Sequence, residues 1–175
     1  MKFYDLVSES CNLEEGLERR LGFERILVSG RDITSRNVDD KKGAAEPVLA
    51  IGSDKSKLEE AIKRGASAAV ISDLTIDRKL ICIMANSKCA LCLPMSMLTE
   101  QSGDRRARNA YKMSKLTAYA RKAGVEVSIV SMAASQLYLC SSIQLIQLGR
   151  MIGIDETYGR YSLSSINKKL FGDVK

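Results

Sequence analysis

Between Asp104 and Lys122 the chain carries Arg105, Arg106, Arg108, Lys112, Lys115, Arg121 and Lys122 against the single acid Asp104. That surplus of +6 equals the net charge of the whole chain, so the remaining residues balance at 20 basic and 20 acidic. The apolar and small residues between the charges recur at helical spacing, which predicts one helix. On it Arg105, Arg108, Lys112, Lys115 and Lys122 share an arc of about 100°, with Tyr119 inside it. Such a row of like charges repels itself by about 0.2–0.5 kcal/mol per adjacent pair. A polyanion relieves that repulsion, and a nucleic-acid backbone is the commonest one. A solvated helix face is the plainer reading of the same residues, and an acidic protein is another possible partner. Tyr119 either stacks on a base or packs against its neighbours. Arg106 and Arg121 point toward the apolar side and are expected in ion pairs, within the chain or with a partner.

Other chemistry is sparse. There is no histidine, which excludes a His-based triad, a His general base and a His-containing zinc site. Asp5 and Asp73, each placed near a strand end, would hold a divalent ion if the fold joined them; a cap or turn role suits each equally well. Gly52-Ser53 before a helix would cradle a phosphate on free N–H groups, although the pair is common in turns. Cys89-Ala-Leu-Cys92 has redox or zinc spacing. It lies in the apolar run Lys88–Leu93, however, where strand geometry sends residues three apart to opposite faces and favours buried, inert thiols. No dinucleotide fingerprint, P-loop or nucleophile elbow occurs. An enzyme built here, a metal-dependent phosphoesterase or a sugar-phosphate enzyme, would need Asp5, Asp73 and a metal or a lysine of lowered pKa.

The elements that must position these residues alternate strand and helix. Six strands are predicted, near Phe3–Val7, Arg25–Val28, Pro47–Ile51, Ala68–Ile71, Lys88–Leu93 and Val125–Val130. Helices are predicted over Leu13–Leu21, after Asp54, after Asp77, over the basic segment, over Ser142–Ile152 and over Ser164–Phe171. Residues 29–46 are polar and aperiodic, a long loop. Four- to six-residue strands separated by single helices imply an α/β fold with a parallel sheet and outer helices. A complete eight-fold barrel needs about 250 residues, so a barrel of 175 residues would be a reduced or irregular TIM-type (β/α) barrel, residues 1–175 forming one domain. Five cysteines, an odd number without a secretory signal, and no apolar run of membrane-spanning length give the expectation of a cytoplasmic protein with no membrane partner. Scarce aromatics, with no Trp, argue against a base-stacking platform.

Three stretches resemble the protein component 3 family of archaeal ribonuclease P, related to the eukaryotic thirty-kilodalton subunit. They are the opening Phe3-Tyr4-Asp5-Leu6; the strand Ala90–Met95 leading through Gly103 to Arg105-Arg106; and Val127–Ala134, followed by Leu137-Tyr-Leu and Leu145–Gly153. Before the helix that holds Leu145–Gly153 the family usually shows Arg, a small residue and Pro, and then an Asp. This chain has Cys140-Ser141-Ser142 and Gln144, so contacts made by that Arg or Asp do not carry over. The resemblance implies a barrel related to metal-dependent phosphoesterases whose metal-binding histidines have been lost. It also implies a protein without catalytic site or cofactor of its own, assembled with ribonuclease P RNA. That RNA uses magnesium to remove the 5′ leader of precursor tRNA. A second small protein subunit is the implied protein partner.

Overall fold

The computed structural model describes residues 1–29, 35–37 (backbone) and 49–171. The elements in chain order are β1 (Tyr4–Val7), α1 (Leu17–Arg20), β2 (Arg25–Val28), β3 (Ser35–Asn37), β4 (Leu49–Gly52), α2 (Lys55–Lys63), β5 (Ala68–Ile71) and α3 (Arg78–Asn86). There follow β6 (Ala90–Pro94), α4 (Ser96–Thr99), α5 (Gly103–Lys122), β7 (Val127–Val130), a 3-10 turn (Gln136–Tyr138), α6 (Ser142–Met151), α7 (Glu156–Tyr161), a π-helical turn (Ser162–Ile166) and α8 (Asn167–Phe171). The predicted 29–46 loop lies outside the described residues except for Ser29 and β3. Three residues are too few for β3 to show a period in sequence.

Every strand pairing is parallel, in the orders β1-β2 and β3-β4-β5-β6-β7. The two sheets meet just beyond β7. Met132 N–H donates to the Leu6 carbonyl at 2.8 Å and Ser8 N–H to the Ala133 carbonyl at 3.2 Å. The strands therefore follow one another in chain order around a curved wall, the walk of an irregular (β/α) barrel. Alternation along each strand builds two apolar layers. Val7, Ile26, Ala69, Leu91 and Ile129 face outward against Leu58, Met84, Met113 and Leu145 of the surrounding helices. Leu6, Leu27, Leu49, Val70, Cys92 and Val130 face inward.

The inner layer also contains Ile166, Leu170 and Phe171, so the C-terminal segment plugs the barrel. It does more than fill space. Val127 N–H donates to the Tyr158 hydroxyl at 2.9 Å and Ile129 N–H to Ser162 Oγ at 2.8 Å. Asn167 Nδ2 donates to the Ile129 carbonyl and, across the gap, to the Tyr4 carbonyl of β1, each at 2.9 Å. Side chains thus supply β7 with bonds that a further strand would make, and they tie the five-stranded sheet to β1.

The one-turn α4 was not expected from the sequence, and two predicted helices start elsewhere than expected. Gly16, at φ 76°, is left-handed, and a right-handed helix cannot run through such a residue; α1 starts after it, at Leu17, rather than at Leu13. The final helical stretch begins earlier than predicted, at Glu156, where the Asp155 carboxylate caps Tyr158 N–H at 2.9 Å. The caps at Asp54 and Asp77 form as expected. At α6 the departures from the family pattern make a local structure of their own. Ser141 Oγ accepts from Gln144 N–H at 3.3 Å, and Gln144 Oε1 accepts from Ser141 N–H at 2.8 Å. That is a complete capping box. Ser142 N–H donates to the Leu21 carbonyl at 2.9 Å, a bond a proline there would lack.

Candidate nucleic-acid interface

Helix α5 is a 20-residue element, about 30 Å long at 1.5 Å per residue. Met113, Leu116, Thr117 and Ala120 bury one face, the i, i+3, i+4, i+7 pattern that seats a helix on a sheet. Asn109 Nδ2, donating to the Met97 carbonyl at 3.1 Å, ties the helix to α4. The opposite side is solvent-exposed at Arg105, Arg108, Lys112, Lys115 and Lys122. Arg105 and Arg106 lie in the first turn, where the helix dipole disfavours a cation by about 0.3–1 kcal/mol each. Folding gives no reason to place them there.

Charge pairing separates α5 from α2. Among the described residues the cations of α2 and its C-cap Arg64 are all in ion pairs, as with Arg64–Glu60 and Lys63–Glu59. On α5 only Arg121 has one, with Asp155 at 3.7 Å, and its guanidinium lies 4.6 Å from the Tyr158 ring centroid. The exposed cations instead make weak neutral contacts. Arg105 Nη1 reaches Gln101 Oε1 at 3.4 Å, Arg108 Nε reaches the Asp104 carbonyl at 3.4 Å, and Lys112 Nζ reaches the Asp73 carbonyl at 3.2 Å. Lys115 Nζ sits 5.5 Å from the Tyr111 ring centroid. None of these holds its charge against a phosphate.

Tyr119 is 38% exposed, and Arg78 of α3 lies over its ring at 5.7 Å. The Arg78 guanidinium beside it holds Tyr119 below the usual phenol range, with Lys115 and Lys122 acting the same way. Arg78 thus lies against a ring that stays partly exposed beside the stripe. Sequence reasoning missed Arg78, an exposed cation without an acidic partner among the described residues. No local pattern could show it, since Arg78 joins the basic face only because α3 packs beside α5.

The remaining candidates are used locally. Asp5 is fully buried; its oxygens accept from Ser131 N–H at 2.8 Å and from the Ser131 hydroxyl. It bridges β1 and β7. Asp73 is exposed and accepts from Thr75 N–H at 3.0 Å, a turn interaction. The Asp54 carboxylate takes the Ser56 and Lys57 N–H groups that would face a phosphate after Gly52-Ser53. Cys89 and Cys92 lie in the outer and inner layers respectively, and burial pushes each thiol up to about 12. Among the described residues no group of three or more His, Cys, Asp or Glu could hold a metal ion. Among them, too, no helix is long and apolar enough to cross a membrane.

Burial raises the Asp5 carboxyl to about 6, against the opposing pull of its Ser131 bonds. A folded-state pKa above the unfolded value means the native state holds the extra proton. The associated stability is full below the unfolded pKa of 3.8 and is lost as pH rises through about 6. Asp5→Asn keeps an acceptor for Ser131 N–H without the charge. In urea titrations, its stability relative to the wild type should rise between pH 4 and pH 7 by up to about 3 kcal/mol. A constant difference across that range would show that folding does not raise the Asp5 carboxyl above its unfolded value.

No protein-family model matches the sequence, and no curated protein sequence matches it. Solved structures do. A chain of an archaeal ribonuclease P determined with mature tRNA superposes with a TM-score of 0.69 at 14% identity, over 97% of this chain and 93% of that one. A prolidase bound to N-methylphosphonate-L-proline gives 0.55 at 11% identity, over 97% of this chain and 56% of that one. An uncharacterised protein gives 0.54 at 12% identity, and there this chain spans only 33% of the neighbour's length. These likenesses establish the fold: an α/β arrangement of parallel strands and outer helices, shared with a chain of a ribonuclease P complex.

Proposed function

We propose that this chain is a non-catalytic protein subunit of a ribonuclease P, supporting the RNA that removes the 5′ leader of precursor tRNA. The observation that carries this reading is the end-to-end match to the archaeal ribonuclease P chain, 97% of one and 93% of the other. The prolidase, by contrast, extends well beyond the matched region. The basic face of α5 supplies the chemistry the role requires. Arg105, Arg108, Lys112, Lys115 and Lys122 would neutralise RNA phosphates, with Arg78 extending the surface and holding Tyr119 beside it. Magnesium would belong to the RNA. A second small protein subunit would complete the protein component.

Reconstitution tests the role. This chain, a ribonuclease P RNA and the companion subunit are combined at low magnesium, and 5′-leader removal from precursor tRNA is followed. Cleavage should require this chain and should fail when Arg105, Arg108, Lys112 and Lys115 are all alanine in a protein with an unchanged melting temperature. Cleavage indifferent to the chain would end the proposal. Normal RNA binding with lost binding of the companion subunit would instead assign the stripe to an acidic protein.

A further inference from the structure

Around α6 the surface has a different character. Leu137 is 89% exposed, Ile143 67% and Met151 57%. Ile143, Gln147 and Met151 stand at i, i+4 and i+8, on one side of α6. Beside them runs an open groove of about 540 Å³ between α4, the start of α5 and α6, lined by Thr99, Cys140, Gln144, Leu148, Met151 and Arg106. Arg106 is the groove's only charged residue and has no ion pair among the described residues. It leaves α5 on the side away from the basic stripe.

The turn that displays Leu137 is held rigid. Ser135 Oγ accepts from Leu137 N–H at 3.3 Å, Tyr138 N–H donates to the Ser135 carbonyl at 3.1 Å, and the Gln136 amide donates to the Asn12 carbonyl. An apolar side chain fixed in water by this many bonds is preorganised for contact, because little ordering entropy remains to be lost.

We infer that this face docks a segment of another protein that sets apolar side chains against Leu137, Ile143 and Met151 and a carboxylate against Arg106. Charge decides the occupant. A second copy meeting the first through the same face would bring Arg106 toward Arg106, since an isologous interface pairs each patch with itself. RNA would find one cation among apolar and amide groups, too little to hold a backbone that the α5 stripe serves far better. An apolar segment carrying an acid satisfies the groove in full. Helix α5 then lies between two interfaces, the stripe toward RNA and Arg106 toward protein. The identity of the partner rests on the ribonuclease P reading, under which it is the companion small subunit.

The test measures binding of the small companion protein subunit of an archaeal ribonuclease P to this full chain by titration calorimetry. Wild type should bind, and Leu137→Asp with Ile143→Asp should weaken binding by about tenfold or more. Arg106→Glu should weaken it as well. All three positions are exposed, so melting temperatures should be unchanged. The salt dependence of RNA binding should also be that of the wild type. Several results would overturn the assignment: no binding by the wild type, unchanged affinity in the variants, RNA binding altered by them, or a wild-type homodimer that they dissociate. RNA binding through α5 is read separately, so failure here with an intact RNA response removes the docking face and leaves the functional reading standing.

Discussion

With Arg105, Arg108, Lys112, Lys115 and Lys122 all replaced by alanine, binding to precursor tRNA or ribonuclease P RNA is expected to lose nearly all of its salt dependence. Each lysine or arginine that neutralises a phosphate releases condensed counterions, so five contacts give a slope of log affinity against log salt near −4. Affinity of the wild type should then fall about 250-fold between 50 and 200 mM salt, whereas the five-alanine variant should be weak and nearly flat. Single replacements should each remove about one unit of slope without altering sequence preference, because phosphate contacts position without reading bases. Arg78→Ala should remove only a fraction of a unit, since its guanidinium is already engaged by Tyr119. Arg121→Ala should remove none, since its guanidinium is engaged by Asp155 and Tyr158. That contrast is the sharpest part of the experiment. If Arg121→Ala matched Lys115→Ala, the effect would be one of net charge and not of a surface. A wild-type slope near zero would remove α5 from the RNA interface.

The basic face was legible because its two determinants are local. Charge and a 3.6-residue period both sit inside one helix, and the buried residues Met113, Leu116 and Ala120 repeat on the other side. The strands were legible for a similar reason: runs such as Ala68–Ile71 are apolar on both faces, as a parallel sheet between two packed layers demands. What stayed hidden depends on long-range partners. Tyr158 and Ser162 look like ordinary helix-surface residues until β7 places Val127 and Ile129, 31 and 33 residues earlier, against them. Arg78 looks like the exposed first residue of α3 until Tyr119 arrives beside it. Asp5 gave the sequence an ambiguous carboxylate, metal ligand or turn residue. Ser131, 126 residues away, makes it a bridge between strands. Periodicity carries a residue's neighbours on its own element, and these roles are set by neighbours on others.

Asn167→Ala should be one of the most destabilising alanine replacements in the chain. Asn167 is fully buried in the last helix, where its Nδ2 donates to the Tyr4 and Ile129 carbonyls and its Oδ1 accepts from the Ser128 hydroxyl. Alanine would leave three buried polar groups without their partner, at about 1–3 kcal/mol for each. Some relaxation and water entry would recover part of that, so a loss of about 3–5 kcal/mol is expected, a large share of the 5–15 kcal/mol typical of a whole domain. Asn167→Asp keeps the size and removes both donors, turning a carboxylate toward two carbonyls, and should be at least as damaging. Ser162→Ala removes one acceptor, that of the Ile129 N–H, and should cost less. The order Asn167→Asp, Asn167→Ala, Ser162→Ala in decreasing loss, measured by urea unfolding, is what a side-chain substitute for a further strand requires. Equal, small losses would mean that the C-terminal segment holds to the inner layer by its apolar residues Ile166, Leu170 and Phe171 alone. Because α5 stands on β7 through its buried face, a loosened seam would also disturb the surface that carries the stripe. RNA binding by these variants should therefore be measured only well below their melting temperatures.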